Sequence, residues 1–269
     1  MTKSKEEKIS IGEVKTLISG KVGKQAELAI VNNLNESATA LMACQGISPE
    51  NLGATEATIV IFVVDKSGSM SGVEDQVEAS LKESVKAMEE SKQAQALTLT
   101  LYYFDEVVNL EFANRPVEEI IPSDISYRAG NMTALYDATL DALTGALGYE
   151  EMLLNAGVST KVILVVFSDG DDNSSRHGAL SDVKKITDEI RKRENWILAF
   201  VGFKTGPVDY NEVAKEMGFP TVKVIDLNKG EYSIRHAIRE TFRLVSKSVI
   251  RASQTQIDPN KTSKDFFNI

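Results

Sequence analysis

Residues 59–70 decide the fold of this chain, and their sequence is Ile59-Val60-Ile61-Phe62-Val63-Val64-Asp65-Lys66-Ser67-Gly68-Ser69-Met70. The first six residues are apolar and mostly β-branched. A continuous run of this kind is typical of a strand that is buried on both faces of a parallel sheet. The polar residues from Asp65 onward therefore begin where the strand ends, at the edge where open α/β sheets bind their ligands.

Three oxygen-bearing side chains, those of Asp65, Ser67 and Ser69, alternate along this polar segment. Alternate residues of a chain that leaves a strand point the same way, and Gly68 permits a tight bend. We therefore expect one carboxylate and two hydroxyls to converge on one point. Such hard oxygen ligands suit Mg²⁺, Mn²⁺ or Ca²⁺ and suit zinc or copper poorly.

The pattern Asp-x-Ser-x-Ser after a buried strand resembles the metal-ion-dependent adhesion site of von Willebrand factor A (vWA) domains. Two later segments resemble the loops that complete this site in the family. They are residues 130–137, Gly-Asn-Met-Thr-Ala-Leu-Tyr-Asp, and residues 165–170, Val-Val-Phe-Ser-Asp-Gly. The resemblance implies five metal ligands, which are Asp65, Ser67, Ser69, Thr133 and Asp169.

The resemblance also implies how such a site binds a partner. In the family, the Ser and Thr oxygens bind a divalent cation directly, and the two Asp bind it directly or through water. A Glu or Asp of a partner protein completes the octahedron. Mg²⁺ suits this arrangement, with Mn²⁺ or Ca²⁺ as substitutes. Thr133 has a second explanation, because Thr is a common N-cap, and it precedes a helix that is predicted to run to about Leu147; the two roles are compatible.

Strands and helices alternate from residue 57 onward, which predicts a doubly wound, Rossmann-like α/β fold, and the resemblance implies the vWA form of that fold. Strands separated by helices need right-handed crossovers and a parallel sheet with helices on both faces. The two strands around Asp105-Glu106 are joined too closely for that and must pair antiparallel near an edge. The order 3-2-1-4-5-6 would place Asp65 and Asp169 across one crevice. The predicted strands are 59–64, 97–104, 107–112, 162–167, 196–201 and 221–225.

The chain is predicted to have three parts. Residues 1–53 form a helical extension and linker, broken at Gly20 and Gly23, and residues 54–250 form the vWA domain. The extension has apolar residues at helical spacing, which are Ile11, Val14, Leu17, Ile18, Leu28, Val31, Leu34, Ala38, Leu41 and Met42. We interpret the extension as a hairpin packed on the domain, or as an interaction arm. Residues 251–269 form a polar tail that ends in Phe266-Phe267, and this tail is disordered, folds back or serves as a docking peptide.

Composition narrows the class of protein. The chain has 269 residues and a formal net charge of -9, which argues against nucleic acid as the main partner, and the sequence suggests no basic patch. Cys44 is the only cysteine, so no intramolecular disulfide forms. The first residues are charged and lack a signal-peptide core, and no apolar run matches a membrane span. We therefore expect a soluble, cytoplasmic protein without a membrane partner, similar to the bacterial intracellular members of the family.

Three functions remain open from the sequence, and the first is favoured. It is a non-enzymatic, metal-dependent protein-interaction module in a bacterial complex of the stress or tellurite-resistance type, or one that works with an AAA+ ATPase.

The second is a metal-dependent phosphohydrolase with Ser67 or Ser69 as nucleophile. Only His177 and His236 offer imidazole bases, and no nucleophile elbow or phosphate-binding loop is present. The third is a metal-independent scaffold that acts through the N-terminal helices or the tail.

Overall fold

In the computed structural model, strand β1 (Glu56–Asp65) lies in the middle of a six-stranded sheet. Parallel pairing joins it to one neighbouring strand on each side. The structure describes residues 9–36, 38–39, 56–170, 172–204, 207–228, 230–255 and 266–267, and the predicted linker and Cys44 lie outside these ranges. The other strands are β2 (Leu97–Phe104), β3 (Val108–Pro116), β4 (Ser159–Ser168), β5 (Trp196–Lys204) and β6 (Thr221–Asp226).

The strand order is β3-β2-β1-β4-β5-β6, and every pair is parallel except β2 with β3. This order confirms the predicted doubly wound sheet with one antiparallel edge strand. Strand boundaries agree with the predictions to within a few residues except in β3. That strand was expected to end at Phe112 and continues to Pro116, because Thr98 and Leu99 of β2 still pair with it.

Helices cover both faces of the sheet, as predicted. The residues of α3 and α7 pack on one face and those of α1, α2, α4, α5 and α6 on the other, and alternate residues of β1 point into the two cores. This two-sided burial explains the unbroken apolar run. In the described parts of the chain, no helix is both long and apolar enough to cross a bilayer. The helices are α1 (Ile11–Ile18), α2 (Lys24–Asn32), α3 (Glu74–Glu89), α4 (Leu135–Asn155), α5 (Leu180–Ile190), α6 (Tyr210–Met217) and α7 (Glu231–Gln254).

Helix α4 is longer than predicted. The sequence suggested an end near Leu147, before Gly148, whereas the helix continues to Asn155. Every residue from Asp137 to Glu151 is buried, because α4 packs on the sheet and is also contacted by α1 and α5. Packing on both sides outweighs the low helix propensity of glycine.

The N-terminal extension forms two short helices separated at the predicted glycines. Val14 and Ile18 of α1 and Ile30 of α2 belong to the same core as α4, in agreement with a hairpin packed on the domain. Two residues of the predicted apolar stripe, Ile11 and Leu28, are instead 55% and 61% exposed. Each helix is only about two turns long and buries a single narrow face.

The described end of the C-terminal tail folds back onto the domain. Phe266 is fully buried in the core beneath α3 and α7, and its ring packs edge-on against Phe267 at 5.1 Å. The guanidinium of Arg251 donates a hydrogen bond to the Phe266 carbonyl at 3.1 Å. Of the alternatives for this tail, folding back is the one that Phe266 adopts.

Arg193 pairs with two buried carboxylates at the edge of the sheet opposite Asp65. Its guanidinium lies 2.7 Å from Glu150 and 2.8 Å from Glu151, whose side chains are 1% and 2% exposed. Trp196 donates its indole N–H to Glu150 at 2.8 Å. Burial raises the pKa of Glu150, and the charge of Arg193 opposes that rise.

We predict that Arg193→Ala destabilises the protein by about 3–5 kcal/mol, because it leaves Glu150 buried without its cation and leaves Glu151 with Lys21 alone, 3.6 Å away. Urea denaturation at neutral pH measures the effect. Lys184→Ala is the matched control, since it breaks only a surface pair with Asp188 on α5 and should change stability by less than about 0.5 kcal/mol. Similar losses in both variants would contradict the structural role of Arg193.

A second buried acid, Asp141, lies between α4 and the N-terminal segment. Its Oδ1 accepts a hydrogen bond from the Asn35 amide, and its Oδ2 has no hydrogen-bond partner within the described ranges. Burial raises the pKa of Asp141 to about 7; the Asn35 hydrogen bond opposes this rise and the charge of Asp137 adds to it. The folded state therefore favours the protonated form of Asp141.

We predict that Asp141→Asn stabilises the protein above pH 7. The folded pKa lies above the unfolded value, so wild-type stability falls as pH rises from about 4 to about 7. The asparagine side chain keeps an oxygen that accepts from Asn35, and it cannot ionise. The increase in the free energy of unfolding should therefore reach up to about 4 kcal/mol near pH 8 and shrink toward pH 5. Denaturation midpoints across this range measure it, with exposed Asp188→Asn as control. A gain that does not depend on pH would contradict the explanation.

Candidate metal centre

Asp65 ends β1 and organises the loop that follows it. The carboxylate is fully buried, and its Oδ1 accepts a hydrogen bond from the Ser67 backbone N–H at 2.7 Å. This short-range bond turns the chain and holds Ser67, which is also buried. The hydroxyl oxygens of Ser67 and Ser69 lie 3.0 Å apart, and Ser69 is exposed. The three residues of the Asp-x-Ser-x-Ser pattern thus lie together, with Ser69 toward solvent.

The loop before α4 contacts this first loop through backbone groups. The N–H of Gly68 donates to the Asn131 carbonyl at 2.8 Å, and the N–H of Gly130 donates to the Lys66 carbonyl at 2.5 Å. A Cβ atom at position 68 would lie 3.1 Å from the Asn131 carbonyl oxygen. A larger residue would therefore crowd the second loop, so glycine favours close approach between the loops as well as the bend expected from the sequence. Thr133 is two positions along the chain from Asn131, which makes this contact with the first loop.

The loop after β4 completes the arrangement. The Thr133 N–H donates to the Asn173 side chain at 2.9 Å, and the Thr133 carbonyl accepts from the N–H groups of Asn173 and Ser174, each at 3.0 Å. Asp169 begins this loop next to β1, because β1 and β4 are neighbours and Val64 pairs with Phe167. All three loops that carry the predicted residues therefore contact one another at one edge of the sheet.

Thr133 is not the N-cap of α4, contrary to the simpler of its two explanations. The cap position is Ala134, and the first-turn N–H groups are bound from the third loop, by Asp172 at Tyr136 and by Ser175 at Asp137. The Thr133 side chain is 3% exposed. Its hydroxyl makes no hydrogen bond to any described residue, so capping does not account for it.

The electrostatics around Asp65 favour a cation. Burial raises the pKa of Asp65 to about 6, the hydrogen bond from Ser67 opposes this rise, and the nearby negative charge of Asp169 adds to it. Asp169 is itself only 5% exposed. Two acidic side chains held together away from water are stabilised by a positive charge placed between them. With the neighbouring hydroxyls, this donor set fits a hard divalent ion.

The donors are unusual in being mostly neutral. Over the described ranges, no group of three or more His, Cys, Asp and Glu side chains is placed to hold a metal ion. Carboxylates alone are therefore too few at this edge of the sheet to indicate a metal site. The combination of two carboxylates with three hydroxyls is recognised from the loop pattern instead.

The sequence reasoning missed two residues that position Asp65. Ser168 donates its hydroxyl to Asp65 Oδ2 at 2.7 Å, and the Tyr127 hydroxyl donates to the Asp65 backbone carbonyl. Ser168 is the last residue of β4, so its place beside the end of β1 follows from the predicted strand order. Tyr127 comes from an irregular loop, and no sequence pattern indicated it.

The acidic residues of the third loop bind backbone groups. Asp172 accepts hydrogen bonds from the Ser175 hydroxyl at 2.6 Å and from the Tyr136 backbone N–H of α4 at 3.3 Å. Asp137 of α4 accepts the backbone N–H groups of residues 176–178 at 2.6–3.1 Å. These bonds fix the third loop against the start of α4.

No protein-family model matches this chain, and no curated protein matches it. Solved structures do match. The pilus adhesin SpaC from Lactobacillus rhamnosus GG, in its open conformation, has a TM-score of 0.53 at 12% identity over 73% of this chain and 30% of SpaC. This chain therefore spans less than a third of that adhesin.

Two further matches have lower scores. The ArnB paralog VWA2 from Sulfolobus acidocaldarius has a TM-score of 0.46 at 15% identity, over 71% of this chain and 45% of VWA2. BatB from Bacteroides thetaiotaomicron has a TM-score of 0.44 at 12% identity, over 74% of this chain and all of BatB. At such identities the likeness concerns the fold alone. The chain shares with SpaC a doubly wound α/β fold, in agreement with its strand order.

We predict that Ser168→Ala destabilises the protein by about 1–3 kcal/mol, because it leaves a buried carboxylate oxygen without its donor. The measurement is urea denaturation in buffer with chelator, so that metal binding does not contribute. Ser71→Ala, at an exposed serine next to the first loop, should change stability by less than about 0.5 kcal/mol. Equal stability of the two variants would show that Ser168 does not support Asp65.

Proposed function

We propose that this protein is a non-enzymatic, metal-dependent protein-interaction module. A divalent cation, Mg²⁺ or in its place Mn²⁺ or Ca²⁺, would be held by Asp65, Ser67, Ser69, Thr133 and Asp169. A Glu or Asp of a partner protein would complete its coordination. The observation that carries the proposal is the mutual contact of the three loops at the ends of β1 and β4, which gathers these five residues at one edge.

Charge balance favours an external acidic ligand. The carboxylates of Asp65 and Asp169 together neutralise a divalent cation, and the three hydroxyls add oxygen without charge. When bound, the ion would supply a position that accepts a carboxylate oxygen from outside. The protein's own residues orient the donors. Ser168 and the Ser67 N–H fix the Asp65 carboxylate, and Asn173 fixes the backbone of Thr133.

The exposed side of the site indicates where a partner would approach. Four of the five proposed ligands are buried, and only Ser69 faces solvent. Met132, next to Thr133, is 48% exposed, and its N–H is held by Glu106 at 3.2 Å. If a carboxylate of the partner reached the ion past Ser69, apolar atoms of the partner next to that carboxylate would contact Met132. Burial of such a side chain adds affinity that does not depend on the metal.

Binding rather than hydrolysis also agrees with the surroundings of the serines. A nucleophile needs a base in hydrogen-bond reach, and the group that the Ser67 side chain bonds besides Ser69 is the Asp65 carboxylate, which the proposal assigns to the metal. His177 uses its backbone N–H to bind Asp137, and His236 is exposed on α7. We keep the bacterial, cytoplasmic setting of the resembling proteins as part of the proposal, with a stress-response complex or an AAA+ ATPase as the source of the partner.

We predict that Mg²⁺ raises the melting temperature of the wild-type protein by mass action and that Thr133→Val abolishes the rise. Valine keeps the branched shape and removes a hydroxyl that makes no hydrogen bond within the described structure, so the melting temperature in chelator should stay unchanged. Differential scanning fluorimetry with and without Mg²⁺ measures both quantities. A full metal effect in Thr133→Val would rule out this donor set.

Affinity capture of partners in Mg²⁺ buffer, followed by elution with chelator, tests the interaction itself. The proposal expects a protein that elutes with chelator and is not captured by Thr133→Val or Asp65→Ala. Asp188→Ala, at an exposed carboxylate on α5, should capture it normally. Capture that survives chelator and Asp65→Ala but fails with Ile11→Asp and Leu28→Asp would favour the metal-independent scaffold acting through α1 and α2.

A further inference from the structure

Helix α7 carries basic residues at a constant spacing of four. Arg243 pairs with Glu240 on the same helix at 3.0 Å, and Arg239 pairs with Glu83 of α3 at 2.9 Å. These contacts lie at the surface, where ion pairs are weak. The concentration of cations contradicts our expectation of a chain without a basic patch, and it lies within a protein of net charge -9. The series is Arg235, Arg239, Arg243, Lys247 and Arg251.

A groove of about 320 Å³ lies between α7 and β6. Three cations and one carboxylate line it, so its formal charge is positive. Neither Lys223 nor Lys247 forms an ion pair with any residue that the structure describes. The groove therefore holds two positive charges that no described residue pairs with. The lining residues are Lys223, Glu240, Thr241, Arg243, Leu244 and Lys247.

The same groove borders an open edge of the sheet. β6 is the last strand in the order and pairs only with β5 among the described strands. Lys223 lies on the α7 side of β6, as does buried Ile225, whereas Val222 packs toward the opposite core. Val224 shares the side of Val222 and is 38% exposed. The edge thus offers backbone hydrogen-bonding groups with cations on one side and apolar side chains on the other.

We propose that the groove and the β6 edge bind an extended, acidic segment of a partner protein, which adds to the sheet as a further strand. In such a strand, acidic residues would face Lys223, Arg243 and Lys247, and the alternate, apolar residues would face Val222 and Val224. Edge addition of this kind takes affinity from backbone hydrogen bonds and specificity from alternate side chains. A nucleic acid or an anionic membrane would use the cations but would leave the backbone edge unused.

This surface is separate from the candidate metal centre. The centre lies at the ends of β1 and β4, whereas the groove lies along β6, with β5 between it and β4. No proposed metal ligand lines the groove. Binding here should therefore persist in chelator, and its failure would leave the proposed metal-dependent function untouched.

The test uses a fluorescent peptide of about eight residues in which Glu and Val alternate, long enough to cover β6. Anisotropy is measured in chelator at about 0.1 M salt, where contacts beyond about 10 Å are screened. Lys223→Glu combined with Lys247→Glu should weaken binding at least about tenfold, because each change replaces attraction with repulsion. Lys86→Glu with Lys215→Glu, an equal charge change at exposed lysines of α3 and α6, should leave affinity unchanged.

Two further probes distinguish the partner class. A peptide of the same composition with all Glu residues at one end should bind at least about tenfold more weakly, since it cannot match both sides of the strand. A single-stranded oligonucleotide and phosphatidylserine vesicles should not compete with the alternating peptide. Equal binding of the rearranged peptide, competition by either other anion, or unchanged binding by the groove variant would each overturn the proposal.

Discussion

Burial of β1 on both faces is the constraint on which this structure depends. A strand with hydrogen-bonded neighbours on both sides and helices above and below has no place for a charge along its length. The first carboxylate of the segment, Asp65, therefore lies at the point where the strand leaves the sheet. Even there it is fully buried, and its pKa is raised. The loops around it supply hydrogen bonds from Ser67 and Ser168 that water would otherwise provide.

The fold and much of the candidate site follow from sequence because each rests on a short-range pattern. Alternation of strands and helices fixes the handedness of the crossovers, and the short Asp105-Glu106 turn fixes the one antiparallel pair. Once the order of strands is known, the ends of β1 and β4 must lie side by side. The contact between Asp65 and Ser168 is then a consequence, although the sequence reasoning did not draw it.

The errors arose where long-range packing overrides a local preference. Gly148 would end an exposed helix, but α4 is enclosed and continues. Thr133 is a good N-cap by residue type, yet Asp172 and Ser175 approach from another loop and bind the helix start instead. Tyr127 comes from an irregular segment whose path no periodicity describes. The basic series of α7 is present in the sequence, but the net charge of the whole chain does not indicate it, because net charge carries no information on where the charges lie.

Burial of α4 makes the domain depend on the N-terminal segment that packs against it. A helix that lies on a sheet and faces water on its other side needs an amphipathic sequence, whereas α4 is apolar or small around most of its circumference. Its outer side is contacted by α1, and the residues that follow α1 and α2 bind two of its acids, Lys21 pairing with Glu151 and Asn35 with Asp141. Removing the N-terminal segment would therefore expose apolar surface of α4 and also leave Asp141 without Asn35 and Glu151 without Lys21.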